Sequence, residues 1–178
     1  CRWIDENVSL PDTAGLVIEY RMEDKTMVKN IVILCSLDTK GKEADYLKDR
    51  ISNQGLKPLL LNTGYGKKAA VEGDISSSQV AYAGGGDIAR LRMSSDTGAA
   101  SRIMIKGAIK IITGLLEKGL CHGVVSFGGV SNTTLATRIM KAIPFGIPKL
   151  MVSSAASMPA YAARFIGTAD ITMMHSVV

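Results

Sequence analysis

The residues best suited to chemistry lie in one stretch, GVVSFGGVSNTTLATRIMKA over 123–142. Val124, Val125, Ser126 and Phe127 read as a short buried strand, and Leu135, Ala136, Ile139 and Met140 recur at helical spacing. Between them stand Gly128, Gly129, Ser131, Asn132 and Thr133. A strand that turns on glycine into a helix start offers unpaired backbone N–H groups and the positive end of a helix dipole to an anion. Glycine lets the backbone approach closely, and the hydroxyls add donors. The chemistry expected is a phosphate cradle. The same residues also suit an ordinary βα turn with permissive glycines and a Ser/Asn/Thr N-cap, found throughout doubly wound sheets.

A second polar turn, Asp38-Thr39-Lys40-Gly41, ends the apolar run IVILCSL over 31–37. Lys40 and Lys42 then fall in the first turn of a helix, where the dipole favours acids by about 0.3–1 kcal/mol. A nearby anion accounts for them; two exposed lysines tolerating so small a cost do so too. Asp38 is read as an N-cap, or as a carboxylate holding Mg2+ directly or through water beside phosphates. Ser153 and Ser154 end a later strand and reach toward the same place.

The elements that must position these turns follow from periodicity. Apolar runs at 31–37, 58–61, 124–127, 149–152 and 171–174 read as strands. A helix to about residue 54 turns Ala44, Leu47 and Ile51 inward and stops at Gly55. Ser76 caps a short helix, Gly84-Gly85-Gly86 ends it, and Asp87 caps another turn. The longest helix, 98–118, has an apolar stripe of Ile105, Ile109, Ile112 and Leu116 and a wet face of Arg102, Lys106, Lys110 and Glu117. Gly107 and Gly114 share one face of it and read as close packing against the sheet. A short helix is expected over 158–163.

Strands alternating with helices indicate a three-layer α/β fold, a Rossmann-like doubly wound parallel sheet of about five strands in the order 2-1-3-4-5. The order reverses between the first and third strands, and ligands bind beyond the strand ends at such a reversal. DTKG and FGGVSNTT therefore share one rim. Thr168 and Asp170 precede the fifth strand at the opposite edge and read as structural or interface residues. His122 and His175 have no partners from which a Ser-His-Asp or Cys-His set can be built, and no metal-ligating set is assigned.

Composition sets the frame. The chain has 178 residues, 47% hydrophobic and 21% charged, which is the balance of a globular domain. Residues 1–26 carry three basic and six acidic side chains, which leaves 18 basic and 10 acidic, a net +8, in the remainder. That body suits an anionic ligand; with no aromatic-interleaved basic stripe, nucleic acid is not the partner expected. The three cysteines show neither a disulfide framework nor zinc spacing, and no apolar run approaches membrane-span length. A cytoplasmic protein with no membrane partner is expected. Residues 1–26 read as an extension outside the pattern, and 27–178 as a Rossmann-like nucleotide-binding domain, a fragment of a longer protein. No G-x-x-x-x-G-K-[ST] occurs, and the second strand ends in Asn62 where a ribose-binding acid would stand, which count against a P-loop and against NAD.

Four blocks, NIVILCSLDTKGKEADYL, AGGGDIARL, GVVSFGGVSNTTLATRIMKAIPFGIPKLMVS and IGTADITMMHSVV, carry a family resemblance from about Lys29 to Val178. Together they resemble the N-terminal domain of the Tm-one-like ATP-binding family, formerly an uncharacterised family, which includes a plant inhibitor of tobamovirus replication. The resemblance implies a Rossmann-like domain that binds ATP, with further sequence in full-length members. By position it makes Asp38, Thr39, Lys40, Gly41, Gly128, Gly129 and Ser131 nucleotide-contacting. Asn132 departs from a more glycine-rich turn, and His175 stands where Tyr is expected. The sequence thus predicts ATP, with Mg2+, bound between the loops after strands 1 and 3 by those residues together with Asn132, Thr133 and Ser153, in a chain that pairs into a homodimer. No general base is evident, so hydrolysis is left open. The alternatives are a non-enzymatic protein- or RNA-interaction module and an enzyme handling a phosphorylated small molecule.

Overall fold

A computed structural model describes residues 28–66, 69 and 71–176. The reading of residues 1–26 as an extension lies outside them. Five strands form one sheet: β1 (Asn30–Cys35), β2 (Lys57–Asn62), β3 (Gly123–Gly128), β4 (Lys149–Ser153) and β5 (Ile171–His175). All neighbours are parallel and the order is β2-β1-β3-β4-β5, as periodicity predicts. β1 pairs with both β2 and β3, so the reversal falls between the first and third strands.

Alternation along β1 explains its unbroken apolar run. Val32 and Leu34 face one layer, where they meet α2 (Ser77–Ala83), α4 (Thr97–Glu117) and α5 (Val130–Met140) through Val80, Met104 and Ile139. Ile33 and Cys35 face the other, where α1 (Leu37–Ser52) lays Leu37 and Ala44 on them. Both sets are fully buried, as a strand covered on two faces requires. α3 (Ile88–Met93) follows α2, and α6 (Pro159–Ile166) packs on α5.

Two expectations about α4 are corrected. Its deepest residues are Met104, Gly107, Ala108 and Ile112, whereas Ile105, Ile109 and Leu116 are only partly buried. Gly107 does permit close packing, but against α2 and not the sheet: a Cβ there would lie 1.9 Å from the Val80 carbonyl oxygen, and one on Gly84 would lie 2.1 Å from that of Ile103. Helix α2 intervenes because the long β2–β3 connection supplies three helices to one face. Gly114 borders open space and packs on nothing.

At the edge where the strands begin, polar groups are paired. Lys149 Nζ donates to the Pro144 and Ile147 carbonyls and, at 2.6 Å, to Asp170 Oδ1, while Gly146 N donates to Asp170 Oδ2. The Lys149 ammonium, first, and the Gly146 amide hold the Asp170 carboxyl below its usual range. His122 Nδ1 accepts from Asn30 N at 3.0 Å. Asp170 is engaged as a structural residue, and His122 is tied to the start of β1.

Candidate functional site

At the opposite edge, two cavities meet over the ends of β1 and β3. One, of about 400 Å3, is the more polar of the two and is lined by Ser36, Asp38, Thr39, Lys40, Tyr65, Gly66, Ser101, Gly128, Gly129, Val130, Ser131, Asn132 and Leu135. The other, of about 430 Å3, lies on the α1 face and is lined by Glu43, Leu47, Val125, Phe127, Leu150, Val152, Ser154 and Ser176. Lys40, Gly128 and Gly129 line both. The two turns singled out by sequence do converge, at the strand-order reversal.

Gly128 is the pivot between them. Its φ of +152° lies where L side chains are rare, and a Cβ there would sit 2.9 Å from Asn132 Cβ. Gly129, at φ −84° and ψ −168°, is extended backbone that any residue adopts, and a Cβ would meet nothing nearer than Ser154 Oγ at 3.8 Å. The space over Gly129 is open crevice. As N-cap of α5 it has no side chain with which to close the helix start. Helices α2, α3 and α4, in contrast, are each capped by a side-chain oxygen, from Ser76, Asp87 and Asp96 respectively. The first-turn amides of α5 open on the polar cavity, beside the exposed hydroxyl-bearing Ser131.

Asn132 has a framework role. Its Nδ2 donates to Ser126 Oγ at 3.1 Å and to the Phe127 carbonyl at 2.7 Å, and its Oδ1 lies 3.5 Å from the Ser36 hydroxyl. Ser126, fully buried, donates in turn to the Leu34 carbonyl of β1. One asparagine thus locks the glycine turn to both central strands.

Asp38 is not the N-cap of α1; Ser36 is, and it makes no side-chain cap bond. The Leu37 amide is satisfied from across the sheet by Asn62 Oδ1, which also accepts from Gly64 N. Asp38 reaches the same loop: Oδ2 accepts from Gly66 N at 3.0 Å, and a Cβ on Gly64 or Gly66 would come within 2.6 Å of a carboxylate oxygen. The loop after β2 needs glycine there to lie over Asp38. Asp38 Oδ1 is buried without a hydrogen-bond partner, as is Thr63 Oγ1.

Lys40 sits at a break in α1, with φ −128° and ψ 22°, and pairs with Glu43 at 2.7 Å. That hydrogen bond is the main cause holding the Glu43 carboxyl below its usual range. The lysine is therefore not locally misplaced: a carboxylate one turn on answers it. Lys42 is exposed and lines neither cavity.

Three expected contacts face elsewhere. Gly41 lies against Val71, with a would-be Cβ 3.1 Å from its Cγ2. Thr133 and Ser153 are fully buried and bond each other at 2.7 Å; Thr133 also donates to the Gly129 carbonyl, and Ser153 accepts from Ala155 N. They fasten α5 to β4 beneath the crevice. Ser154, one residue on, lines the apolar cavity instead. Sequence reasoning passed over Ser36, Tyr65, Gly66 and Ser101, because the loop after β2 and the start of α4 approach only in the folded chain. The Cys35 thiol, pushed up to about 12 chiefly by burial and then by Glu43, stays protonated and inert. His175 Nε2 lies 3.1 Å from Ser157 Oγ on the exposed rim.

Comparison with known proteins places the chain. Residues 29–178 match the N-terminal domain of an uncharacterised protein family, UPF0261. The chain belongs to the UPF0261 family. A UPF0261 protein of Clostridium tetani is 38% identical over 152 residues, covering 85% of this chain and 37% of the relative. UPF0261 protein RA0729 of Rhizobium meliloti is 32% identical, covering 84% and 36%. The tomato ToMV resistance protein Tm-1(GCR237) is 32% identical over 81 residues, covering 46% of this chain and 10% of that protein. The chain spans about a third of the length of the UPF0261 proteins it matches. None of its described helices is long and apolar enough to cross a membrane.

Proposed function

We propose that this UPF0261 domain binds a nucleotide, ATP foremost, by its phosphates in the polar cavity. The observation that carries the reading is the helix α5 start. Its N-cap is a glycine with no closing side chain and open space above it, while α2, α3 and α4 close their own starts. First-turn amides left open at a strand-order reversal attract an anion through both hydrogen bonds and the dipole. Ser131 and Thr39 add hydroxyls at the cavity, and Lys40, paired with Glu43, adds an ammonium at its wall.

Mg2+ beside the phosphates would meet Asp38, the one carboxylate among the described residues that line this cavity, whose Oδ1 has no hydrogen-bond partner. One protein carboxylate, with phosphate oxygens and water, suits that ion, and it would neutralise charge on the phosphates. Asp38 is also tied to the Gly66 amide, which couples any ion there to the loop after β2.

A thermal-shift panel of ATP, ADP, sugar phosphates and single-stranded RNA tests the reading. ATP at 100 times Kd should stabilise by about 2.7 kcal/mol, a shift of several degrees. No response to ATP or ADP with a response to RNA or a sugar phosphate would overturn it.

A further inference from the structure

The apolar cavity adjoins the phosphate cavity across Gly128 and Gly129, and its position follows from the sheet. On the α1 face, helix α1 covers β2 and β1 as far as Val125. Beyond it, Phe127 of β3 is the register partner of Val152, Leu150 stands two residues before Val152 on the same face of β4, and all three remain half-buried, with Leu47 of α1 as the near wall. The polar side chains at this cavity stand at its margins. Lys40 and Glu43 bond each other at 2.7 Å, and Ser154 and Ser176 follow the ends of β4 and β5.

A base is read by fixed donors and acceptors matched to its edge. A site built that way rejects the wrong partner by factors of about 10^4–10^5, whereas an apolar pocket discriminates by only about 10–200. At the margin here Lys40 and Glu43 are engaged with each other, and the other two polar side chains, Ser154 and Ser176, carry hydroxyls that rotate to donate or accept and so serve adenine and guanine alike. The geometry points to a crevice for a two-ended ligand: phosphates on the α5 start, and a flat apolar base in the trough of Leu47, Phe127, Leu150 and Val152, held without regard to which purine it is. This inference rests on the phosphate reading above and adds base indifference to it.

The test is isothermal titration of the chain with ATP, GTP and inorganic tripolyphosphate, on the native protein and on Val152→Thr and Leu47→Asn. Val152→Thr keeps the side-chain shape, and Leu47 lies on a partly exposed helix face, so either variant preserves the test if the other misfolds. ATP and GTP should bind within about tenfold of each other, and tripolyphosphate at least a hundredfold more weakly. Each variant should lose about tenfold toward both nucleotides and nothing toward tripolyphosphate. Discrimination between ATP and GTP beyond a thousandfold would show that the base is read and overturn the inference. Tripolyphosphate binding as tightly as ATP, or variants that bind ATP normally, would also overturn it while leaving the phosphate reading intact. If none of the three ligands binds, the phosphate reading falls and this inference with it.

Discussion

Lys149 opens β4 at one edge of the sheet and Ser153 closes it at the other, and the two edges treat polar groups in opposite ways. At the first, the buried ammonium finds three acceptors and Asp170 is answered by Lys149 and Gly146. At the second, Asp38 Oδ1 and Thr63 Oγ1 are buried without partners, and α5 begins on a glycine that closes nothing. An unpaired buried polar group costs about 1–3 kcal/mol, so each is a place where the fold gives up stability. The comparison separates an edge that satisfies its polar groups from an edge that leaves some of them open.

The largest effect expected at the holding edge is that of Lys149→Met. It leaves the Pro144 and Ile147 carbonyls without their donor, a loss of about 1–3 kcal/mol that denaturant unfolding should show while ATP affinity stays unchanged. A parallel loss of affinity would mean that the two edges are not independent. Gly129→Val should do the reverse. Branched carbon over the α5 amides should lower ATP affinity by at least two orders of magnitude, while stability changes by no more than about 1 kcal/mol, the cost of a poorer N-cap. A variant that folds and binds ATP normally would move the phosphates away from α5.

Lys40→Ala should weaken ATP binding, and by less at high salt, where screening has already reduced its attraction. Its exposed pair with Glu43 contributes at most about 1 kcal/mol, so the apo melting temperature should barely move. Unchanged affinity would assign Lys40 to Glu43 alone.

Acid sharpens the comparison further. The Asp170 carboxyl is held below the usual 3.8, so its contribution to stability is full above that value and is lost as pH falls through the lowered one. Asp170→Asn should flatten this part of the stability curve, and an unaltered curve would show that other carboxylates carry the acid response. The smallest effect belongs to Thr63→Val. It removes an unpaired hydroxyl at constant shape, so stability should hold or rise by about 1 kcal/mol, the low end of the cost of such a group, and the melting temperature with it. A clear fall would reveal a partner for Thr63.

Strand runs, glycine stops and side-chain caps were legible in the sequence because they depend on neighbours within a few residues. Ser76 with Gln79 is a capping box, and Asp87 caps α3. The all-parallel order was legible too, since β1 is apolar from Ile31 to Cys35 and must be covered on both faces. The roles of particular polar residues were not. Ser153 and Ser154 are chemically identical, yet one is buried against Thr133 and the other lines the crevice. Asn132 resembles a ligand donor in sequence but spends its amide on Ser126 and Phe127.

By itself, then, the sequence determined the elements, their order and the two turns that meet at the reversal, because side-chain period and backbone freedom are local properties. Only the tertiary structure decided which groups in those turns are free. Leu37 N is satisfied by Asn62 from β2, and Asp38 is engaged by Gly66 from the next loop. The long β2–β3 connection brings α2 against Gly107. A hydrogen bond between residues distant in the chain is fixed by how strands align and helices stack, and no local pattern encodes that alignment.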